Sequence, residues 1–381
     1  MSTRVLVVDD ASIFRRIVSE ALSGIPGVEV VGTAANGKLA LARLASLQPD
    51  LITLDIEMPE MNGLAVLDAM RESGLILKTS VIMLSSLTVK GGEMTIRALE
   101  SGAFDFVTKP EGGSQQDNLA QIRNSLRPMI QALERRREIR SILNAKAPVP
   151  GSTPILPQAV RSGPSTVTPV GRARSRTGTP IVLIGVSTGG PTALAKVVPA
   201  LPPRIGAPVF IVQHMPPLFT GALAQRLDSL SRLPVKEAQN GEIAQTNCVY
   251  LAPGGRQMKL NPGPHGEIVV CINDDPPENA CRPSVDYLFR SVALHFPGRS
   301  IAAILTGMGN DGAEGVRMLK RSGSFNIAQD EASCVVFGMP KEAILAGVID
   351  TVVPLDRIAD TIVRAIAQVH PAPVQPAQVR S

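Results

Sequence analysis

The first 110 residues alternate between two hydrophobic rhythms. Short, nearly unbroken apolar runs at 5–8, 28–33, 51–54, 80–84 and 104–107 have the length and composition of buried strands. Between them 12–22, 38–47, 64–71 and 92–100, and after the last of them about 115–143, place apolar residues three and four apart, as an amphipathic helix does. Strands alternating with helices predict an α/β fold with a five-stranded, doubly wound parallel sheet. The rhythm returns after residue 180. Strands are expected at 181–186, 208–212, 248–251, 257–260, 268–272, 301–305 and 350–353. Helices are expected at 194–201 (broken by Pro199), 218–230, 284–296, 313–320 and 355–367. Asn-Pro-Gly-Pro-His-Gly between 260 and 268 signals a hairpin, so this second sheet is expected to be mostly parallel and doubly wound.

Between the two halves neither rhythm holds. Residues 145–179 are rich in Pro, Gly, Ser, Thr and Arg, a composition that cannot bury a core and reads as a flexible linker. The expected organisation is a first domain over 1–144 with an extended last helix, a linker over 145–179, a second domain over 180–370 and a disordered tail over 371–381.

Composition narrows the class. A chain of 381 residues with 44% hydrophobic content can bury two cores, and 3% aromatics without Trp makes those cores aliphatic. The net charge of +5 is partly concentrated in 135–146 and in Arg161, Arg172, Arg174 and Arg176. No DNA-binding motif accompanies these cations and few aromatics could stack on bases, so a solvated linker is expected and a nucleic-acid partner is not. No apolar run is long enough to span a bilayer and no signal pattern opens the chain, which points to a cytoplasmic protein without membrane insertion. Cys248, Cys271, Cys281 and Cys334 are scattered without a metal-ligand spacing and read as reduced thiols.

The polar residues that end the strands carry the candidate chemistry. In the first half Asp9, Asp10 and Asp55 come to one rim of the sheet, where three carboxylates repel one another unless a cation sits among them. An all-oxygen set with open positions suits Mg²⁺. Ser85 and Lys109, at the ends of the fourth and fifth strands, add a hydroxyl and a fixed positive charge that could hold a phosphoryl group.

In the second half Ser187, His214 and Asp311 each follow a predicted buried strand. A hydroxyl nucleophile needs a base, and the base needs a group to hold its ring. The other histidines fall elsewhere: His265 in the hairpin turn, His295 in a helix and His370 in the tail. Gly-Val-Ser-Thr-Gly at 185–189 fits a nucleophile elbow, but the acid follows the histidine, against the α/β-hydrolase order. A phosphate-binding loop is the competing reading of Ser-Thr-Gly-Gly-Pro, without a Walker lysine or the dinucleotide glycine spacing.

VLVVDD, LDIEMPEMNG, VIMLSS and FDFVTKP resemble the receiver domain of two-component response regulators, which is flavodoxin-like, over about residues 3–125. The resemblance implies Asp55 as phosphoacceptor and Asp9, Asp10, Asp55 and the Glu57 carbonyl as Mg²⁺ ligands. It also implies Ser85 as switch hydroxyl, Phe106 as switch aromatic and Lys109 as phosphoryl contact. GVSTGGP, VQHMPP, TGMGNDGA and IAQDEASCVVFGMPKEAI resemble the catalytic domain of the chemotaxis protein-glutamate methylesterase family, CheB. That resemblance implies Ser187 as nucleophile, His214 as general base and acid, and Asp311 as its orienting carboxylate. It places the Met308 amide at the oxyanion, with Thr188 beside the nucleophile, and requires no cofactor for hydrolysis. It further implies methyl-ester hydrolysis and glutamine deamidation on chemoreceptor cytoplasmic regions, giving chemotactic adaptation, with control by a CheA-type histidine kinase. In the unphosphorylated state the receiver is expected to cover the Ser187 rim. Two alternatives of another class are a phosphorylation-gated receptor-binding module without turnover and a transcriptional regulator.

Overall fold

The computed structural model describes residues 2–145 and 178–369. The linker expected over 145–179 lies almost wholly outside the described residues, and the tail over 371–381 lies wholly outside them.

The first domain runs β1 (Thr3–Val8), α1 (Ser12–Ser23), β2 (Val28–Ala34), α2 (Gly37–Leu47), β3 (Leu51–Asp55), α3 (Gly63–Glu72), β4 (Ser80–Ser85), α4 (Val89–Glu100), β5 (Asp105–Thr108) and α5 (Gln115–Ala145). Its five strands are all parallel in the order β2-β1-β3-β4-β5. Alternate residues of one strand serve opposite faces, the period-two consequence of the pleat. Val5 and Val7 pack with Ile17, Val18, Ile122 and Leu126 of α1 and α5, whereas Leu6 and Val8 pack with Leu44, Leu67 and Ile96 of α2, α3 and α4. The inner strands β1, β3 and β4 therefore had to be nearly apolar throughout, which is why they stood out in the sequence.

The second domain runs β6 (Ile181–Val186), α6 (Gly190–Ala200), β7 (Val209–Gln213), α7 (Phe219–Leu230), β8 (Val235–Glu237), β9 (Val249–Leu251), β10 (Gln257–Pro262) and β11 (Ile268–Asn273). It continues through α8 (Val285–His295), β12 (Ser300–Ile304), α9 (Ala313–Arg321), β13 (Phe325–Gln329), α10 (Met339–Leu345), β14 (Thr351–Val353) and α11 (Ile358–Val369). Seven strands form one wholly parallel sheet in the order β14-β13-β12-β6-β7-β9-β8. β10 and β11 form the expected antiparallel hairpin as a separate sheet. One face of the large sheet is covered by α6, α7 and α11, through Leu194, Leu223 and Ile362. The hairpin, α8 and α9 cover the other, through Leu260, Phe289 and Val316.

Apart from a single 3-10 turn at Leu75–Leu77, three elements lie outside the expected set: β8, β13 and α10. β13 buries Asn326 and Gln329 and so lacks an unbroken apolar run; the Asn326 amide donates to the Val316 and Val348 carbonyls, at 2.9 and 3.0 Å, which makes its burial tolerable. α10 has seven residues and β8 three, too few for a periodic signal. Pro199 does not break α6 midway; the helix extends from Gly190 and ends one residue beyond the proline. Among the described residues, no helix is long and apolar enough to cross a membrane.

Candidate active site

Strand β6 is the topological switch point of the second sheet. The chain leaves it for β7 on one side, and β12 later fills the other, which opens a crevice beyond the strand ends. Val186 pairs with Gln213 in register, so Ser187 and His214 are the next residues of adjacent parallel strands. Neighbouring strands lie about 4.8 Å apart, and the His214 amide bonds the Val186 carbonyl at 3.2 Å. Asp311 arrives from the turn after β12, in which Gly309 (φ 85°) and Gly312 (φ 95°) take the left-handed backbone that glycine tolerates. The topology thus brings the three polar residues to one crevice.

His214 Nε2 lies 2.8 Å from Asp311 Oδ2. Asp311 also accepts from the Val285 amide at 2.7 Å, Ser284 Oγ at 2.9 Å, Asn279 Nδ2 at 3.0 Å and the Asp286 amide at 3.1 Å. Two of these donors are the first amides of α8, whose N-terminal dipole favours an anion. Burial alone would raise the Asp311 pKa, but His214 and these donors overcome it and hold the carboxyl at about 2. Burial alone would lower the His214 pKa; the Asp311 bond, aided by Cys281, outweighs it and raises the imidazole to about 9. The pairing therefore favours an ionised Asp311 and stabilises the protonated form of the His214 imidazole.

The Asp311 contact uses Nε2, so Nδ1 is the nitrogen left for a reacting group. Among the described residues Ser187 Oγ makes no hydrogen bond, and the neighbour of Nδ1 is Cys281 Sγ at 3.6 Å. A direct Ser187–His214 bond is thus not formed in this state; such contacts are often long until substrate binds. The serine backbone itself is tightly held. Its amide donates to the Thr306 carbonyl at 3.0 Å, and its carbonyl accepts from the Gly190 amide at 2.7 Å and Gln213 Nε2 at 3.0 Å. A Cβ on Gly190 would stand 1.8 Å from Gln213 Oε1, so a larger residue there would displace the side chain that bonds the Ser187 carbonyl. Among the described residues the Met308 amide donates to no protein acceptor, and the preceding Gly307 packs against Ser187, within 2.8 Å of its Cβ if it carried a Cβ of its own. Asn279, Cys281, Ser284, Asp286 and Gln213 were not singled out from the sequence. None ends an apolar strand except Gln213, whose motif gave the neighbouring histidine precedence.

At the first domain's rim Lys109 Nζ lies 2.7 Å from Asp9 Oδ2 and 2.8 Å from Asp55 Oδ2. Asp9, Asp10 and Asp55 can bring one carboxylate oxygen each to within 4.8 Å of the others. Burial raises the pKa of both Asp9 and Asp55, and repulsion from Asp9 helps push Asp55 to about 6. Lysine alone does not offset that, so a hard divalent cation such as Mg²⁺ fits the oxygen set. The Glu57 side chain turns away, to Ser86 Oγ at 3.2 Å and Lys90 at 3.7 Å, while its amide faces Asp55 Oδ1 at 3.3 Å. Ser85 Oγ is buried and accepts from Thr95 Oγ1 at 2.8 Å.

The two sites are joined by a continuous interface. α4 lies along α7, and the Phe106 ring stacks on Phe219 with centroids 4.7 Å apart. Arg226 Nε donates to both Glu100 oxygens, at 2.8 and 3.1 Å. Thr188 Oγ1 donates to Asp105 Oδ2 at 2.6 Å, so the hydroxyl next to Ser187 is held by the first domain rather than turned into the crevice. Desolvation of the Asp105 carboxyl in this interface raises its pKa to about 6, and the Thr188 hydrogen bond offsets part of the rise.

Residues 5–122 match the response regulator receiver domain, and residues 182–362 match the CheB methylesterase family. A protein-glutamate methylesterase/protein-glutamine glutaminase of Desulfotalea psychrophila is 47% identical over 95% of this chain and 98% of its own. One of the same description from Bacillus subtilis is 44% identical over 95% of this chain and 98% of its own. The crystal structure of the Thermotoga maritima CheB methylesterase catalytic domain is 42% identical, covers 49% of this chain and 99% of that one, and has a TM-score of 0.48. The chain belongs to the CheB family of protein-glutamate methylesterase/protein-glutamine glutaminases, with a receiver domain in front of its methylesterase domain.

Proposed function

We propose that Ser187, His214 and Asp311 carry out the hydrolysis of glutamate γ-methyl esters, and the deamidation of glutamines, on the cytoplasmic regions of chemoreceptors, under the control of Asp55 phosphorylation. The observation that carries this reading is the 2.8 Å bond between His214 and a buried Asp311, one strand away from Ser187. His214 Nδ1 takes the Ser187 proton as Oγ attacks the ester carbonyl. Asp311 stays ionised and stabilises the imidazolium. The free Met308 amide receives the oxyanion, a contribution of about 3–4 kcal/mol in the transition state. His214 returns the proton to the methoxide, which leaves as methanol, and then activates the water that cleaves the acyl-enzyme. A glutamine side chain follows the same path with ammonia leaving.

In the receiver domain Asp55 is the phosphoacceptor, and Asp9, Asp10, Asp55 and the Glu57 carbonyl are the residues that would hold Mg²⁺. Bound there, the ion supplies charge neutralisation for phosphoryl transfer. Lys109 already reaches Asp55 and is placed to bond a phosphoryl oxygen. Ser85 and Phe106 are the switch residues. Phe106 stacks directly on Phe219, and Asp105 beside it holds Thr188, so a shift of β5 reaches the catalytic rim within one residue. The phosphoryl donor is a histidine kinase of the CheA type, in the cytoplasm. The receiver boundary at 144, the linker over 145–179 and the catalytic domain over 180–370 belong to the same reading.

The test is methanol release from a methylated receptor fragment, with and without a small phosphodonor and Mg²⁺. A coupling of about 1–3 kcal/mol corresponds to roughly 5–150-fold activation. Wild type is expected to accelerate within that range and Asp55→Asn to stay at its basal rate. Methanol release that is equally stimulated in Asp55→Asn defeats the gating assignment. A second prediction concerns the interface. Arg226 and Glu100 form a partly exposed pair worth about 1 kcal/mol or less. Arg226→Ala is therefore expected to raise the unphosphorylated rate by up to about fivefold and leave the phosphorylated rate little changed; an unchanged basal rate shows that this pair does not hold the closed arrangement.

A further inference from the structure

The ring nitrogen that faces away from Asp311 has a thiol for a neighbour. Cys281 Sγ lies 3.6 Å from His214 Nδ1, with 67 residues of sequence between them. A tetrahedral ion with metal–sulfur and metal–nitrogen bonds of about 2.3 and 2.0–2.1 Å separates its ligand atoms by about 3.5 Å. The pair is already spaced for chelation. The other half of the ring completes the pattern. Nε2 is engaged by a buried carboxylate at 2.8 Å, the arrangement in which a metal-ligating histidine usually has its second nitrogen held by an outer carboxylate. Ligand atoms of His214, Cys281 and Asp311 all fall within 4.8 Å of one another.

The ligand set selects the ion. Thiolate and imidazole favour Zn²⁺ or Cd²⁺ over Mg²⁺, which belongs with the oxygen set in the receiver domain. Asp311 is committed to His214, Asn279, Ser284 and the first amides of α8, so it stays an outer partner. Two coordination positions are then left to water, and both Cys281 and His214 are partly exposed. Such a site is open and reversible, unlike a closed structural centre. Two successive residues with left-handed backbone, Asn279 (φ 53°) and Ala280 (φ 60°), set the loop that presents the thiol.

We propose that Cys281 Sγ and His214 Nδ1 form a chelating site for a thiophilic divalent cation, and that an ion bound there inhibits the esterase. Binding releases to solvent the thiol proton and, where His214 is an imidazolium, the Nδ1 proton as well, so that the ion then occupies the Nδ1 lone pair. The binding step rests on geometry alone; the inhibition rests on the reading of His214 as the base for Ser187.

The experiment uses the full chain with saturating Mg²⁺ to fill the receiver domain. Cd²⁺ is titrated while the ultraviolet thiolate-to-cadmium charge-transfer band is recorded, and Zn²⁺ is titrated against methanol release. Wild type and Ser187→Ala are expected to develop the same band, and Cys281→Ser to lose the saturable part of it. Relative to its own uninhibited rate, Cys281→Ser is expected to need at least the roughly 10–100-fold more Zn²⁺ that loss of an outer partner alone costs a metal site. A band and an inhibition curve unchanged in Cys281→Ser overturn the proposal. A band that depends on Cys281 without any inhibition by Zn²⁺ upholds the site and overturns the role of His214 as base. Should Cys281→Ser fold poorly, alkylation of the wild-type chain decides: Zn²⁺ is expected to slow modification of Cys281 and spare the rate at Cys271, and equal rates at both overturn the site.

Discussion

Ser187→Ala is expected to lower methanol release by roughly 10⁴–10⁶-fold while leaving the fold intact. The loss is this large because no second nucleophile stands in the serine's place. The adjacent Thr188 hydroxyl is bound to Asp105 at 2.6 Å, on the receiver side of the turn. The stability effect is small for a separate reason. Among the described residues Ser187 Oγ has no hydrogen-bond partner, whereas the backbone of the turn is held by Thr306, Gly190 and Gln213, none of which needs the hydroxyl. Removing an unbonded hydroxyl changes stability by about 0.5 kcal/mol or less. Thermal unfolding of Ser187→Ala should therefore overlay wild type, so that inactivity reports chemistry. Full activity in this variant removes Ser187 as nucleophile and brings forward a receptor-binding module or an unrelated hydrolase.

Asp311→Asn acts on both rate and stability. Its kcat is expected to fall by about 10³–10⁴-fold, because an amide no longer holds the imidazole in the tautomer that leaves Nδ1 free. The stability cost arises from the donors around it. Val285 and Asp286 amides, Ser284 Oγ and Asn279 Nδ2 all point at the carboxylate. Asparagine supplies one accepting oxygen and turns an NH₂ toward the rest, and each buried donor left unpaired costs about 1–3 kcal/mol. The pH profile separates the two effects. Burial lowers the His214 pKa, but Asp311 and Cys281 raise it to about 9, so in wild type the base becomes competent only as pH rises toward that value. Without the carboxylate the raising contribution of Asp311 is lost and the pKa falls. The acid limb of kcat/KM in Asp311→Asn should accordingly move to lower pH while its plateau drops. An acid limb that stays where wild type has it indicates that Asp311 only supports the fold.

How much of this was legible beforehand depends on how local the signal is. Ser187 and His214 stood out because each directly follows a strand buried on both faces, and Asp311 because it lies one glycine turn beyond such a strand; these strands must be apolar along their whole length. The receiver carboxylates stood out for the same reason, as did Lys109 at the end of β5. Cys281 and Asn279 lie in an irregular loop with left-handed backbone, where no periodicity marks a residue as close to anything. The donor role of α8 toward Asp311 was likewise hidden, because amide donors belong to the backbone of any helix and acquire meaning only from what lies in front of them.

The sequence by itself determined that there are two α/β domains and that polar residues gather at their strand ends, Asp9, Asp10, Asp55 and Lys109 in the first and Ser187 and His214 in the second. These follow from short-range physics: burial demands apolar runs, and turns demand glycine. Only the tertiary structure decided that β12 and β7 both flank β6, that Asp311 takes Nε2 and leaves Nδ1 to Cys281, and that Asp105 and Phe106 of the receiver domain touch Thr188 and Phe219. Strand order and domain packing pair residues separated by dozens of positions, and nothing in the local hydrophobic pattern of either partner encodes the other.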